Sequence, residues 1–255
     1  MIKIFRQIRQ RLLTEGKTGK YLKYAIGEIV LVVIGILIAL QLNNLNDSHK
    51  INKEEKISLA KLHNESETIV RSIKESIAQK DSIILSMDKV ASGLHNKNIE
   101  GISEYNLQLG IEGIGYYASL NLPNSVYNEL FNSGKLQNIK SETIQTSISN
   151  YYSILEFLQG QLNYFRSSAQ TLEIDFHSDS QFYVYDSTIP TKNKFKTDIE
   201  SLMEDKGFKS RHVHGLRNQI VFKRYMTDLL ANAQKMCDAI ANELKIECIS
   251  HGSYE

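Results

Sequence analysis

The chain has 255 residues, of which 30 are basic and 29 acidic, so its formal net charge is only +1 at pH 7. The charges are unevenly placed: residues 1–23 hold seven basic residues and one acidic residue, a net charge of +6, and the remaining residues sum to −5. A single basic cluster beside a long apolar run is typical of a membrane boundary. The composition therefore argues against a nucleic-acid-binding protein, for which a basic cluster would be the other explanation.

Residues 24–42 form the apolar run, YAIGEIVLVVIGILIALQL, in which Glu28 is the only charged residue. A helix of about 20 residues crosses a bilayer core, so the run predicts one transmembrane helix. The basic arm, residues 1–23, then lies in the cytoplasm as an amphipathic helix against the lipid bilayer, and residues 47–255 lie outside the cytoplasm. A cleavable signal peptide is the alternative, but no small-residue cleavage site follows Leu40.

Three residues of the predicted span share one helical face. At about 100° per residue, Glu28, Gly35 and Ala39 fall within roughly 20° of a common direction. Gly35 and Ala39 form a small-x-x-x-small pair, which allows a second helix to approach closely. We expect this face to contact another membrane protein or a second copy of the span. The alternative is a passive anchor in which Glu28 reaches back to the headgroups.

The remainder of the chain predicts three long amphipathic helices joined by shorter ones. The first covers residues 48–92 and the last about 209–248, with an apolar stripe that includes Val213, Leu216 and Ile220. The clearest pattern places ten apolar residues at alternating steps of four and three. They are Ile144, Ile148, Tyr151, Leu155, Leu158, Leu162, Phe165, Ala169, Leu172 and Phe176. The fold class is therefore all-α, with an elongated antiparallel bundle and coiled-coil-like packing after the membrane helix.

Residues 93–140 are the least regular part of this region. Alternation over Tyr105–Ile111, together with the run Phe182–Tyr185, has strand character, although an ordered loop is favoured. Asn124 or Ser125 caps a short helix that ends at Gly134.

That short helix carries the candidate interaction loop. Two readings of it stay open: a folded cap over one end of the bundle, or a binding site for a peptide, glycan or partner domain. The candidate residues are Tyr127, Leu130, Phe131, Gly134 and Leu136.

The residues most often used for metal binding or catalysis form no recognisable site. Cys237 and Cys248 lie eleven residues apart in what reads as one helix, about 16 Å along its axis, so we expect them not to pair. The pairs His63/Glu65 and His212/His214 are interpreted as surface or capping residues. We therefore predict no metal, no cofactor and no enzymatic activity.

Two sequence blocks resemble a known family. The opening MIKIFRQIRQRLL, with KYLKYAIGEIVLVVIGILIALQLNN, and the later SVYNELFNSGKLQNIK followed by ISNYY are similar to DUF6090. The resemblance covers residues 1–50 and 124–152. It implies an uncharacterised, single-pass membrane protein of the Gram-negative bacterial cell membrane with a helical periplasmic domain. No activity is established for the family, so it supplies no functional residues.

Two functions remain in view. The first is a membrane-anchored scaffold whose helical domain docks other proteins. The second is a sensory bundle that binds a ligand and signals through a membrane partner, since the cytoplasmic arm is too short to hold an output domain.

Overall fold

The computed structural model describes residues 18–179 and 199–248, and these residues form helices and connecting turns with no β-strand. This confirms the all-α prediction. The helices are α1 (Thr18–Asn96), α2 (Glu104–Glu112), α3 (Ser125–Asn132), a 3₁₀ helix (Lys135–Asn138), α4 (Glu142–Asp179), α5 (Ile199–Glu204) and α6 (Lys206–Leu244). Residues 1–17 of the basic arm and the run Phe182–Tyr185 lie outside the described residues, whereas residues 18–23 of the arm belong to α1.

The described chain falls into two compact units, one ending at Ile57 and one beginning at Ser58. In the first unit, α1 contains a window with a mean hydropathy of 2.6, and none of that window is buried. By length and composition this helix is long and apolar enough to cross a membrane. A signal sequence near an N-terminus has the same length and composition.

The core of the second unit contains the four-three pattern predicted from the sequence. The first eight residues of the pattern, Ile144 to Ala169, are all buried, which confirms the predicted face of α4. Leu172 is partly buried. The side chain of Phe176 lies outside the described part of the chain.

Helices α4 and α6 pack side by side and run antiparallel. Phe157 of α4 meets Tyr225 of α6, and further along α4 the Ser168 hydroxyl accepts a hydrogen bond from Asn218. Helix α6 is also antiparallel to α1, because Lys80 of α1 meets Gln219, whereas residue 63 of α1 lies beside residue 237. Three long helices thus form an antiparallel bundle, as predicted.

Two of the three residues predicted for the apolar stripe in the first half of α6, Val213 and Ile220, are exposed, so the prediction is wrong for them. Leu216, the third, is partly buried and packs against a core cluster. The buried face instead repeats at steps of four and three through a set that includes two polar residues. Its members are Phe208, His212, Gly215, Gln219, Phe222, Met226, Leu229, Ala233, Met236 and Ile240.

Residues 97–141, here called the connector, run back along α1 rather than covering one end of the bundle. Asn106 bonds to Ser86 near the start of the connector, and Glu129 pairs with Lys61 near its end. The connector therefore packs along α1 as a fourth segment of the bundle. Its contacts overturn the expected cap over one bundle end.

Within the connector, the strand-like alternation at Tyr105–Ile111 is part of helix α2. The Ser103 hydroxyl caps this helix by accepting a hydrogen bond from the backbone N–H of Asn106. Gly110 permits a close approach, because a Cβ there would lie 2.5 Å from the carbonyl oxygen of Ser86. Gly110 therefore allows α2 to pack closely against α1.

Candidate functional site

Four buried or half-buried polar side chains donate hydrogen bonds to main-chain carbonyls of the connector between Gly110 and Tyr117. They come from all three long helices: Lys80 from α1, Arg166 from α4, and His212 and Gln219 from α6. We call this group the carbonyl clamp. It is the first candidate functional site.

Lys80 lies at the centre of the clamp. Its Nζ donates to the carbonyl oxygen of Tyr116 at 2.8 Å and to Oε1 of Gln219 at 2.6 Å. It also lies over the rings of Tyr117 and Phe222, 4.8 Å and 5.2 Å from their centroids, within range of cation–π attraction. Burial lowers the pKa of Lys80 from 10.5 to about 8, because desolvation penalises the ammonium form.

Gln219 and His212 attach α6 to the same segment. The Gln219 amide donates to the carbonyl oxygen of Gly113 at 2.6 Å. His212 Nε2 lies 3.1 Å from the carbonyl oxygen of Gly110, and since a carbonyl can only accept, Nε2 carries the proton. Burial is the main effect on His212 and lowers its pKa. The hydrogen bond to Gly110 raises the pKa by a smaller amount. The neutral imidazole is therefore the form that fits this position.

Arg166 completes the clamp from α4. Its guanidinium donates twice to the carbonyl oxygen of Tyr117 and once to the hydroxyl of Ser119. A cavity of about 30 Å³ lies beside Lys80, Tyr116 and Ser119. That volume has room for one or two water molecules, so an organic ligand would have to displace the connector.

A second polar site joins α1 to α3. The Glu65 carboxylate accepts hydrogen bonds from the backbone N–H groups of Val126 and Tyr127, at 2.8 Å and 3.1 Å, and from the hydroxyl of Ser125. Asn124, the N-cap residue, makes no side-chain capping bond, so Glu65 supplies the cap from another helix. The interpretation of His63 and Glu65 as surface residues is wrong, because both are buried.

The candidate interaction loop divides between core and surface. Leu130 is buried in the core and Leu136 is packed against it. Tyr127 stacks on Tyr152 with ring centroids 3.6 Å apart. Gly134 adopts a φ of 71°, the left-handed conformation expected of a helix terminator.

Phe131 is the exposed member of the loop, with 60% of its surface accessible. It packs near the ring of Tyr127 on the same helix, with centroids 5.9 Å apart. The structure therefore leaves one large aromatic side chain of the loop available to a partner.

Two pairs of adjacent tyrosines divide between the core and its rim. Tyr117 and Tyr151 are buried, whereas Tyr116 is exposed and Tyr152 is half-buried. Burial, and secondarily the charge of Glu65, raise the pKa of Tyr151 well above its ordinary value. The Tyr151 hydroxyl therefore stays neutral throughout the physiological range.

The predicted membrane-helix face lies in the first unit. Gly35 has no atom within 4 Å of the position a Cβ would occupy, and Ala39 is exposed. Glu28 is half-exposed. The described structure therefore leaves room for a second helix at the small-residue positions, and the predicted helix contact stays a prediction.

The prediction for the two cysteines is wrong, because Cys237 and Cys248 form a disulfide bond. The assumption that failed was one continuous helix to residue 248. Helix α6 ends at Leu244, and Lys245 takes a left-handed conformation with a φ of 58° that reverses the chain. The reversal brings the two Cα atoms to 6.1 Å, within the usual disulfide range.

Comparison with protein families gives one match. A family model for DUF6090, described as a family of unknown function, matches residues 28–181. The chain belongs to DUF6090. The matched range includes the carbonyl-clamp residues of α1 and α4 and the whole connector, but neither α6 nor the disulfide. No curated protein and no solved structure matches the chain.

Sequence reasoning missed the polar members of this DUF6090 protein's core. Lys80, His212 and Gln219 bond to main-chain carbonyls, which any residue provides, so no complementary sequence motif marks the contact. A signal was present in α6, where the four-three spacing continues from Phe222 back to Phe208 only if two polar residues are included. A prediction based on this spacing alone, without regard to side-chain polarity, would have placed His212 and Gln219 in the core.

Proposed function

We propose that this DUF6090 protein is a single-pass protein of the bacterial inner membrane. Residues 24–42 span the bilayer, the basic arm is cytoplasmic, and the helical domain lies in the periplasm, where it docks other proteins. No catalytic role is proposed for any residue. The single observation that carries the periplasmic placement is the disulfide between Cys237 and Cys248.

The disulfide supports the periplasmic placement because such bonds persist in oxidising compartments and are rare in the bacterial cytoplasm. Its support is independent of the charge argument, in which seven basic residues precede the span and four occupy the twenty residues after Leu42. Both arguments support a periplasmic location of the helical domain.

Thiol trapping in intact cells tests the placement. Cells are quenched in acid and treated with a maleimide polymer before and after reduction. We expect no mobility shift before reduction and a shift of two labels after it. The single variant Cys237→Ser provides the control, because it leaves one thiol that should label without reduction. Two labels in unreduced wild-type protein, together with protection from protease in spheroplasts, would place the domain in the cytoplasm and contradict the proposal.

The docking role is supported by the surroundings of Phe131. Its helix, α3, is fixed at one end by Glu65 and along one side by the Tyr127–Tyr152 stack. An aromatic side chain held on a rigid element loses little conformational entropy when a partner covers it, and aromatic anchors often dominate protein interfaces. We propose that Phe131 inserts into an apolar pocket of a periplasmic or membrane-anchored protein.

Site-specific photocrosslinking tests the docking surface. A photoreactive phenylalanine analogue is placed at residue 131 and, as a matched control, at Tyr164, which is 64% exposed on α4. We expect a defined protein adduct from residue 131 that is absent at residue 164. The adduct should fade in Glu65→Ala, which releases the end of α3. Equal adducts from both positions, or none from residue 131, would count against docking through α3.

A sensory role is the second candidate, and the carbonyl clamp is the observation that favours it. The clamp ties one connector segment to three long helices, so a ligand that displaced the segment would loosen all three attachments. Limited proteolysis of the connector separates the two roles. A sensor predicts that a small-molecule extract of the periplasm changes cleavage near Tyr116, whereas a scaffold predicts a change only when a protein partner is added.

A further inference from the structure

Three potential metal ligands converge in the core of the helical domain. A ring nitrogen of His63 on α1 and the sulfur atoms of Cys237 and Cys248 all lie within 4.8 Å of one another, and all three residues are buried. One imidazole and two sulfurs make a donor set typical of zinc sites. The sulfurs are joined as a disulfide, so the metal-binding form of this set is the dithiol.

His63 is an unusual neighbour for a disulfide in a helical core. Only 4% of its surface is accessible, and its Nε2 has no hydrogen-bond partner among the described residues. A buried polar atom without a partner costs about 1–3 kcal/mol. The nearest acidic atom, Oε1 of Glu67, lies 4.0 Å from this nitrogen, beyond hydrogen-bonding distance. A metal ion bound at Nε2 would give this nitrogen the partner it otherwise lacks.

The turn after α6 is closed by backbone hydrogen bonds as well as by the disulfide. After Leu244 the chain reverses at Lys245, and the backbone N–H of Ile246 donates to the carbonyl oxygen of Ala241 at 3.0 Å. The side chain of Cys248 is buried in the same core cluster as Cys237. We therefore expect both thiols to stay beside His63 when the S–S bond is broken.

We propose that the reduced form of this DUF6090 protein binds Zn²⁺ through His63, Cys237 and Cys248. A dithiol reductant supplies two electrons and two protons, so the S–S bond breaks, two thiols form and the reductant becomes a disulfide. Zn²⁺ then displaces both thiol protons and forms two Zn–S bonds and one Zn–N bond. Glu67 or a water molecule fills the fourth position.

The geometry requires only a local adjustment. With Zn–S bonds of about 2.3 Å in a tetrahedral site, the sulfurs stand roughly 3.8 Å apart, which side-chain rotation can provide across a Cα separation of 6.1 Å. The disulfide and the metal therefore exclude each other. Either one closes the turn at the C-terminal end of α6.

Cobalt spectroscopy of the full-length protein in detergent tests the site, because Co²⁺ bound to thiolates gives an intense charge-transfer absorption. We expect the reduced protein to bind one Co²⁺ with this absorption, Zn²⁺ to displace it, and the oxidised protein to show none. His63→Ala should weaken binding about 10-fold or more. His214→Ala is the control, because His214 is an exposed histidine outside the group of three ligands and outside the carbonyl clamp.

A reduced protein with no thiolate–cobalt absorption, or a His63→Ala variant with unchanged affinity, would overturn the proposal. If reduction unfolds the helical domain, circular dichroism provides the second measurement. Zn²⁺ should then restore helicity in the reduced wild type and not in reduced His63→Ala. Failure of Zn²⁺ to restore the wild type would also overturn it.

Discussion

The buried face of α4 and the first half of the buried face of α6 follow the same spacing but are held by different interactions. From Ile144 to Ala169 the α4 face is formed by apolar and aromatic side chains alone. From Phe208 to Phe222 the α6 face includes His212 and Gln219, which bond to the connector. Apolar burial is nondirectional and tolerates small shifts, whereas hydrogen bonds to defined carbonyls fix a register. The α4 face therefore provides stability, and the carbonyl clamp determines where the connector lies.

The largest expected effect belongs to the apolar face. Leu158→Ala should lower the free energy of unfolding by about 2–5 kcal/mol, because it leaves a cavity at a fully buried position. Denaturant unfolding followed by circular dichroism measures the change. Ile220→Ala on the exposed side of α6 is the control and should change stability by less than about 0.5 kcal/mol. Equal losses for the two variants would mean that the buried face is misassigned.

The next effect belongs to the polar face. Gln219→Leu should cost about 3 kcal/mol, because it leaves the carbonyl of Gly113 and the charged Nζ of Lys80 short of partners. The same unfolding measurement checks it. A loss below about 0.5 kcal/mol would show that Gln219 does not hold the connector.

The pH dependence of the free energy of unfolding should report on Lys80, the α1 member of the carbonyl clamp. Between pH 8 and 10.5 folded Lys80 loses its proton while the unfolded lysine keeps it, so the unfolded state binds more protons and stability rises with pH. The rise in the free energy of unfolding caused by deprotonation of Lys80 is therefore absent below pH 8 and amounts to about 2 kcal/mol by pH 9.5. Above about pH 10 the effect is opposed, because burial raises the pKa of Tyr117 and ionisation then favours the unfolded chain.

Parallel pH titrations of unfolding in wild type and Lys80→Met measure this contribution. The wild type should gain stability relative to the variant from pH 7 to 9.5. A constant difference between the two proteins over this interval would mean that Lys80 has an ordinary pKa in the folded state.

The smallest expected effect has opposite signs at two glycines. Gly160→Ala should stabilise the protein by roughly 0.5–1 kcal/mol, because nothing lies within 4 Å of the new Cβ and alanine favours the helix. Gly110→Ala should destabilise it, because the new Cβ would meet the carbonyl oxygen of Ser86 at 2.5 Å. Stabilisation by both substitutions would show that α2 does not pack closely on α1.

The features that the sequence predicts correctly are those that repeat within one element. The apolar run of residues 24–42, the α4 face and the helix terminator at Gly134 are all local patterns, and the structure contains each of them. Helix caps and apolar periodicity depend on neighbours within a few residues, so they can be read without knowing the tertiary contacts.

The features that sequence reasoning missed depend on contacts between distant residues. Glu65 caps a helix about 60 residues away, and Lys80 meets an amide 139 residues away. The Cys237–Cys248 bond depends on a reversal at Lys245, a residue with no preference for the left-handed conformation. Such partners become visible only once the helices are packed.

Amide hydrogen exchange of the full-length Gln219→Leu variant is the most direct test of the central claim. It shows whether the carbonyl clamp, rather than apolar packing, positions the connector. If it does, amides of α2 and residues 113–117 should exchange at least 10-fold faster than in wild type, because their local opening becomes easier. Amides of α4 between Ile148 and Leu162 open only with the whole domain, so their acceleration should not exceed the factor set by the global loss of stability in this variant. In the variant, the connector should therefore open at a lower free energy than α4. An equal opening free energy in the two segments, or no acceleration in the connector, would contradict the account.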